Sequence, residues 1–236
     1  MKSRTKMARN ELHELGIKET LRRVLRYLLS STMSNLLRPL NRTFSLNGIT
    51  YKYTVSPRSY DNERSIEIPI VINFLKGNSS RNKIKVLEIG NVLNYYNIRG
   101  HDVLDKYEIY PGVINEDITQ FNSIERYDII ISVSTLEHVG QDEPVKEKEK
   151  VVKAIFNIKE LLKQDGVALI AVPIGYNLTL DEFISHNQPF FASCTFMRRL
   201  TFYNKWCETN LQDAMNNKYA KKFPYGNAEA FLYLKK

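Results

Sequence analysis

Two adjacent titratable side chains, Glu137 and His138, follow a strongly apolar segment of the sequence, Tyr127–Val133. Polar residues directly after a central strand of an α/β sheet lie in the crevice where such proteins bind ligands. Histidine can take up a proton near neutral pH, so we expect His138 to act as a general base, with Glu137 orienting it or substituting for it. The alternative is a structural histidine that bonds a loop carbonyl.

A second candidate site lies at residues 86–91, where an apolar strand ends in Glu88, one apolar residue and Gly90. A glycine lets the backbone pass close to a ligand, and the amides that follow it at a helix start would meet a carboxylate. Glu88 would accept from an ammonium group of the ligand. The sequence lacks the Gly-x-Gly-x-x-Gly pattern, which argues against a bound pyrophosphate. An ordinary strand-to-helix turn is the alternative.

Two aspartates after the next strands complete the candidate set. Asp105 lies 15 residues beyond Gly90, where a carboxylate can accept from both ribose hydroxyls of a nucleoside, and Glu108 is its nearby competitor. Asp117 would accept from an adenine amino group, with Ile118 covering the ring. A solvated acid at a strand end is the alternative for Asp105, and a helix N-cap is the alternative for Asp117.

Alternating strands and helices position these residues. Apolar segments predict strands at residues 84–89, 102–106, 112–115, 127–133 and 166–172, with a helix over residues 146–162. Strands joined by helical crossovers predict a doubly wound, mostly parallel Rossmann-like sheet of about seven strands. Two further strands, at residues 194–200 and 228–234, predict a closing antiparallel pair around a polar helix near residues 205–216.

The N-terminal region differs from the rest of the chain in charge. Residues 1–45 contain ten Lys or Arg and three Glu, so they carry +7 of the net +8. Apolar residues from Ile17 to Leu37 recur at helical spacing, and Pro39 is expected to end that helix. Asn47-Gly48 predicts a hairpin. We therefore divide the chain into a basic amphipathic arm, residues 1–45, and a domain, residues 46–236, whose hairpin and helix (46–80) lead into the sheet.

Composition restricts the class of protein. Two cysteines are too few for a disulfide framework and fit a reducing compartment. No uncharged apolar run approaches the length of a membrane span, so we expect a cytoplasmic protein. Nucleic acid is the less favoured partner, because basic residues concentrate in one arm and no aromatic residue is interleaved with them before Tyr27.

Taken in order, these segments resemble the motif series of class I S-adenosylmethionine (SAM)-dependent methyltransferases. The resemblance covers about residues 62–175 and is carried by residues 86–91, Asp105, and residues 115–118, 127–140 and 161–173. Within that superfamily the chain resembles enzymes of surface-polysaccharide and glycan gene clusters, on the pattern of residues 62–69, 86–93, 101–108 and 134–140.

The resemblance implies a SAM site and assigns roles within it. The methionine moiety would contact Glu88 and Gly90, the ribose Asp105, and the adenine Asp117 and Ile118, and Asn91 would belong to the same cofactor site. Ser134 to Leu136 would line the end of the site where the methyl group is transferred. The chain departs from the family at Gly90, which stands alone where two or three glycines are usual, with Asn91 after it.

The expected reaction moves a methyl group from SAM to a hydroxyl or similar nucleophile of a small-molecule or glycan acceptor. The transfer is an in-line displacement, so the protein supplies alignment and removal of a proton. His138 is the first candidate for the base and His186 the second. Tyr176 and Asn177, which follow the fifth strand, are expected to line the acceptor pocket.

Two other functions remain open at this point. A nicotinamide-dependent oxidoreductase or epimerase of a sugar nucleotide uses the same type of sheet, although the missing glycines argue against it. A degenerate methyltransferase fold could instead act as a binding subunit. For the helix at residues 17–37 there are three hypotheses: a lid packed over the acceptor pocket, a peripheral contact with an anionic membrane, and an RNA-docking arm.

Overall fold

The computed structural model describes residue 25, residues 28–78 and residues 84–236. The first element among the described residues is a helix, α1, which includes residue 25 and residues 28–37 and is followed by a 3-10 helix at Arg38–Leu40. A two-stranded antiparallel hairpin follows. Its strands are β1 (Thr43–Leu46) and β2 (Ile49–Lys52). Asn47 and Gly48 both have positive φ, at 51° and 75°, as the tight turn predicted at this dipeptide requires.

One eight-stranded sheet forms the body of the protein, in the order β5-β4-β3-β6-β7-β10-β8-β9. The first five of these strands are mutually parallel, and β10 runs antiparallel to both β7 and β8. The strands of this sheet, in chain order, are β3 (Val86–Ile89), β4 (Asp102–Leu104), β5 (Val113–Ile114), β6 (Tyr127–Val133), β7 (Leu162–Pro173), β8 (Ser193–Arg199), β9 (Trp206–Thr209) and β10 (Ala228–Lys235).

Helices cover both faces of this sheet, so its strands are apolar on both sides. The helices are α2 (Arg64–Asn78), α3 (Lys150–Leu161), α4 (Leu178–His186) and α5 (Leu211–Met215). The strand β6 shows the arrangement. Ile130 belongs to the core that contains α3 and α4, whereas Ile129 and Ile131 belong to the core that contains α2 and the hairpin.

The predicted fold class, a doubly wound and mostly parallel Rossmann-like sheet with a C-terminal antiparallel strand, is confirmed. The sheet has eight strands because the segment predicted as part of a polar helix also contains β9, which pairs with β8 at the edge. The helix expected from residue 146 begins at Lys150, since the preceding residues form turns.

A proline inside α2 leaves one helix carbonyl free to bond the segment that follows the hairpin. Pro69 has no N–H and therefore cannot donate to the carbonyl of Ser65, four residues earlier. The amide of Thr54, just after the hairpin, donates to that carbonyl instead, at 2.9 Å. The Arg42 guanidinium also donates to the carbonyl oxygens of Tyr203 (2.6 Å) and Asn204 (3.1 Å).

The described part of α1 presents apolar side chains to solvent. Leu28, Leu29 and Leu36 are 56%, 59% and 65% exposed, and Leu25 and Met33 are exposed as well. The hypothesis that this stripe packs as a lid is therefore wrong for these residues, while Ile17, Leu21 and Val24 lie outside the described residues. Within the described ranges, no helix is both long and apolar enough to span a bilayer.

Candidate active site

A cleft of about 500 Å³ opens at the carboxyl edge of β3, β4 and β6. It lies where the strand order reverses, since β3 has β4 on one side and β6 on the other. This is the position at which open α/β sheets bind ligands. Six of the predicted site residues line it: Gly90, Asp105, Asp117, Ile118, Ser134 and His138. Thr135, between the predicted Ser134 and Leu136, also lines the cleft, whereas the sequence analysis assigned no role to its other polar residues Lys106, Glu116, Asp142 and Glu143.

Gly90 closes the base of this cleft in a conformation that only glycine adopts easily. Its φ is +87°, and a Cβ atom at this position would overlap Thr135 Oγ1. Its amide donates to the carbonyl of Leu104 at 2.9 Å, while the Thr135 hydroxyl donates to the carbonyl of Val133 at 3.0 Å. Two strand ends therefore approach within contact distance here.

Glu88 is fully buried and lies outside the cleft wall. Its Oε1 accepts from the amides of Val92 and Leu93, both at 2.8 Å, and its Oε2 lies 2.8 Å from His101 Nε2. The geometry favours a structural role, in which Glu88 caps the 3-10 helix Leu93–Tyr96, over the predicted contact with a ligand ammonium group. That contact remains a prediction.

Asn91 and Asp105 shape one rim of the cleft. The Asn91 side chain is buried outside the lining and donates to Glu108 Oε1 at 3.0 Å. Asp105 Oδ1 accepts from the amides of Tyr107 (2.9 Å) and Glu108 (2.8 Å). No hydrogen bond from a described residue reaches Asp105 Oδ2, so this oxygen has capacity for a ligand hydroxyl.

Asp117 is held by four donors. Its Oδ1 accepts from the amide (3.0 Å) and hydroxyl (2.7 Å) of Thr119, and its Oδ2 contacts the ammonium groups of Lys106 (2.9 Å) and Lys150 (2.7 Å). Both lysines also contact Glu143. A carboxylate has about four lone-pair sites, so this arrangement leaves none for an adenine amino group. The geometry favours the local capping role of Asp117, and its contact with adenine remains a prediction.

The pKa of Asp117 reflects the same contacts. Burial by itself would raise the pKa, but the hydrogen bonds from Lys150, Lys106 and Thr119 outweigh it and hold the pKa well below the usual range. Asp117 is therefore ionised at neutral pH. It and Glu143 hold the segment before α3 against the cleft wall.

Ser134 and Leu136 have different surroundings, although both follow β6. Ser134 lines the cleft with φ +35°, and its hydroxyl donates to Glu67 Oε1 at 2.6 Å. The Leu136 side chain is fully buried in the core with α3. The 3-10 helix Leu136–His138 turns this side chain into the core, which favours a structural role, and its predicted place at the methyl-transfer end remains a prediction.

His138 is half-exposed at the cleft and lies between two acids. Its Nδ1 is 2.5 Å from Asp142 Oδ2, and its Nε2 is 3.4 Å from Glu137 Oε1. The Tyr176 hydroxyl donates to the same Asp142 oxygen, and the rings of Tyr176 and His138 meet edge to face. Sequence reasoning did not identify Asp142, although its spacing of four residues from His138 is the available signal.

The ionisation of these neighbours differs. Burial would raise the pKa of Asp142, but the hydrogen bonds from Tyr176 and His138 hold it below the usual value, so Asp142 is an anion. Glu137 is buried, and desolvation raises its pKa well above the usual range. The geometry therefore favours Asp142 as the group that orients His138. The predicted role of Glu137, to orient His138 or to substitute for it, remains a prediction.

Two residues predicted for the acceptor pocket lie elsewhere. Asn177 is buried as the N-cap of α4, where its side chain accepts from the Leu180 amide and donates to the Glu137 carbonyl. His186 is exposed at the end of α4, and its Nδ1 lies 2.9 Å from the carbonyl of Glu182. Neither lines the cleft. The geometry favours local roles for both on α4, and their assignment to the acceptor site remains a prediction.

The arrangement provides a ligand cleft with a proton acceptor at one end. No group of three or more His, Cys, Asp or Glu side chains within residues 28–78 and 84–236 has a disposition suited to a metal ion.

No protein-family model and no curated protein sequence matches this chain. Solved structures that resemble it include the N-methyltransferase NodS from Bradyrhizobium japonicum WM9, at 12% identity and a TM-score of 0.47, covering 75% of this chain and 89% of that one. TehB from Haemophilus influenzae has 16% identity and a TM-score of 0.42, and the match covers 74% of this chain and 65% of TehB. The magnesium protoporphyrin IX methyltransferase from Synechocystis PCC 6803 has 14% identity and a TM-score of 0.39, and the match covers 69% of this chain and 76% of that enzyme. One fold supports many functions, so the fold by itself does not define the reaction.

Proposed function

We propose that this chain is a SAM-dependent methyltransferase that transfers a methyl group to a hydroxyl or similar nucleophile of a small-molecule or glycan acceptor. One observation carries the proposal. The ends of three adjacent strands place Gly90, Asp105 and His138 on one cleft at the reversal point of the sheet. Its volume of about 500 Å³ falls in the range of small-molecule sites.

The residues present fit SAM at three points. Gly90 lines the cleft, and its lack of a side chain leaves room for Thr135 beside it, so the backbone there would lie against the methionine moiety. Asp105 Oδ2 would accept from the ribose hydroxyls, and Ile118, which is buried but lines the cleft, would cover the adenine ring. The adenine amino group would need another acceptor, or the release of Lys106 from Asp117.

The protein's contribution to catalysis would be alignment and removal of one proton. Bound SAM supplies an electrophilic methyl group. His138 would take the acceptor proton on Nε2, with its Nδ1 proton donated to Asp142. Because Asp142 is ionised, it would stabilise the imidazolium that forms, and the Tyr176 hydroxyl would fix the position of Asp142.

Calorimetry of the purified chain with S-adenosylhomocysteine (SAH), the demethylated form of SAM, and with NAD tests this proposal. We expect saturable SAH binding and no NAD binding. Binding of NAD alone would instead favour the oxidoreductase. If a folded sample binds neither SAH nor NAD, the result would favour the hypothesis that the chain is a degenerate methyltransferase fold acting as a binding subunit.

The proposal includes a peripheral contact between α1 and an anionic membrane, which would keep a cytoplasmic enzyme near lipid-linked glycan acceptors. The exposed Leu28, Leu29 and Leu36 supply an apolar face, and residues 1–45 carry a net charge of +7. Such helices lie in the interface with cations at the headgroups.

Flotation with vesicles of phosphatidylcholine and phosphatidylserine tests the membrane contact. Full-length protein should float at low salt, and Leu28→Gln/Leu36→Gln should not. Exposed Leu178 on α4 offers a matched control, Leu178→Gln, which should float like the wild type. Failure of the wild type to float at low salt, where attraction is strongest, would refute the contact.

A further inference from the structure

Two exposed aromatic side chains form the tip of a hairpin at the end of the sheet. Strands β8 and β9 pair in antiparallel fashion, with Arg199 opposite Trp206, and residues 200–205, the β8–β9 tip, connect them. Phe202 and Tyr203, at the centre of this tip, are 71% and 81% exposed. Adjacent exposed aromatic side chains make a contiguous apolar patch, the type of surface that marks an interaction site.

The register of the strands places the β8–β9 tip on the same edge of the sheet as the cleft. β7 runs parallel to β6, so its last residue, Pro173, lies at the carboxyl edge. Glu229 of β10 lies opposite Pro173, and Arg198 of β8 lies opposite Ala228. The end of β8, and the tip that follows it, therefore lie at the carboxyl edge, where the cleft opens.

Aromatic contacts connect the tip to the cleft. The rings of Phe202 and Phe223 meet edge to face, with centroids 5.0 Å apart. Phe223 belongs to the segment that leads into β10, and Tyr219 in the same segment meets Tyr176 at 4.8 Å. The Tyr176 ring in turn meets that of His138 at 4.8 Å. The tip is thus connected to the proposed base through this one segment.

The backbone of the tip suits surroundings of low polarity. The carbonyl oxygens of four consecutive residues, 201–204, all accept from arginine side chains. Arg199 donates to the first two, both at 3.1 Å. Arg42, which follows α1 and its 3-10 helix, donates to the other two, at 2.6 and 3.1 Å. A carbonyl group that leaves water for lipid needs a partner from the protein, and these four have one.

The surroundings of the tip are basic. Residues 198–207 and 216–228 contain six Lys or Arg and no Asp or Glu. Five of the six are exposed: Arg198, Lys205, Lys218, Lys221 and Lys222. The negative surface potential of an anionic bilayer attracts such cations, while aromatic side chains are favoured at the level of its headgroups. The charge and the apolar tip together therefore match an anionic bilayer.

We propose that the β8–β9 tip is a second membrane contact, in which Phe202 and Tyr203 enter the interface of an anionic bilayer and the neighbouring lysines lie at its headgroups. This inference rests on the proposed membrane contact of α1 and extends it to the sheet. Arg42 links the two contacts, because it follows α1 and bonds the tip. A single helix leaves the protein free to tilt, whereas two contacts turn the carboxyl edge, with its cleft, towards lipid-linked acceptors.

A tryptophan at the tip reports whether the tip enters the bilayer. Phe202→Trp keeps an aromatic side chain, and the only native tryptophan, Trp206, is buried, so a change of emission reports on the new side chain. We expect vesicles of phosphatidylcholine and phosphatidylserine to shift this emission to the blue and brominated phosphatidylcholine to quench it. The matched control is Ile124→Trp, an exposed position just before β6 on the opposite edge, which should show neither change.

Binding to the same vesicles measures the contribution of the aromatic side chains. Phe202→Ser/Tyr203→Ser should weaken the partitioning of the full-length protein by about tenfold or more, because binding strength follows the apolar area placed in the interface. Ile124→Ser removes an equally exposed apolar side chain from the opposite edge, and it should partition like the wild type.

A pair of lysine variants tests the contribution of charge. Lys221→Gln/Lys222→Gln should weaken binding to vesicles that contain phosphatidylserine by about tenfold, since each cation near an anionic surface adds to the attraction. Lys76→Gln/Lys235→Gln removes two exposed charges on the opposite edge. That control should weaken binding by less than about threefold, because salt screens distant charges.

The outcomes separate this inference from the proposals on which it rests. An unshifted Phe202→Trp emission on vesicles that carry the protein, or unchanged partitioning of Phe202→Ser/Tyr203→Ser, would overturn the tip contact and leave that of α1 intact. A wild type that does not float would overturn both contacts. A tip that instead holds a dimer of this chain together, as sedimentation would show, without responding to lipid would also overturn the inference.

Folding and cofactor binding are checked in the same samples. Circular dichroism shows whether each variant is folded, and the conservative Phe202→Trp decides the question if Phe202→Ser/Tyr203→Ser is not. SAH binding should be unchanged in every tip variant. Its absence in the wild type would count against methyl transfer and would leave the membrane measurements as they stand.

Discussion

Asp105 is the residue at which the proposed cofactor site can be tested most directly. Its two oxygens differ in their contacts, since Oδ1 accepts from the amides of Tyr107 and Glu108 while no hydrogen bond from a described residue reaches Oδ2, and the residue lines the cleft. Asp105→Asn keeps an oxygen for the two amides and removes the negative charge that would hold the ribose. Asp105→Ala removes both contributions.

The expected loss follows from the hydrogen bonds at stake. Hydrogen bonds to charged groups contribute about 1.5–3 kcal/mol. Asp105→Ala should therefore weaken SAH binding by about tenfold or more, because about 1.4 kcal/mol corresponds to tenfold. Asp105→Asn should weaken it less, since a neutral amide oxygen still accepts from one hydroxyl. Isothermal titration calorimetry with SAH gives both affinities.

A second acid of the same cleft provides the control. Glu116 is exposed and lines the cleft without contacting Asp105 in the structure, so Glu116→Gln should change SAH affinity less than twofold, an order-of-magnitude expectation for an exposed charge. Unchanged affinity in folded Asp105→Ala would refute the ribose contact. A loss in Glu108→Gln of the size expected for Asp105→Ala would move that role to Glu108.

Three further predictions concern the cleft and its supports. His138→Ala should lower methyl transfer to an identified acceptor by about 100-fold or more and leave SAH affinity unchanged, as steady-state kinetics and calorimetry will show. Gly90→Ala, which forces a side chain onto Thr135 at positive φ, should destabilise the fold by about 1–3 kcal/mol in urea unfolding. Burial raises the pKa of Asp181 to about 6, so its contribution to stability is present below about pH 4 and is lost as pH rises through 6. The free energy of unfolding should fall by about 3 kcal/mol over this pH range in the wild type and should not show this fall in Asp181→Asn. Urea unfolding at several pH values measures both, and equal pH profiles of the wild type and the variant would contradict the prediction.

The sequence predicted those features that depend on short stretches of chain. The apolar run of β6 identified a doubly covered strand, Asn47-Gly48 identified the hairpin, and Gly90 marked a close approach that its φ of +87° requires. Each follows from backbone geometry or from the period of burial. These signals lie within a few residues, so pattern reasoning can find them.

Side-chain partners that come from distant segments could not be found in this way. Asp117 is paired with Lys150, which lies on α3, and Glu88 is paired with His101. In both cases the residue type was compatible with ligand binding, but the partner that uses its lone pairs is chosen by tertiary packing. The same applies to Asn177, whose position after β7 suggested a pocket and whose actual place is the cap of α4.

Ser134 connects the cleft to the buried start of α2. Its backbone, at φ +35°, turns the chain out of β6 so that the following residues reach the cleft, while its hydroxyl donates to the buried carboxylate of Glu67. The guanidinium of Arg64 bonds both the Ser134 carbonyl (3.4 Å) and Glu67. Three contacts therefore fix the backbone at the point where the chain leaves β6. A change at Glu67 or Arg64 is expected to move Ser134 and, through it, the segment that carries His138 at the cleft.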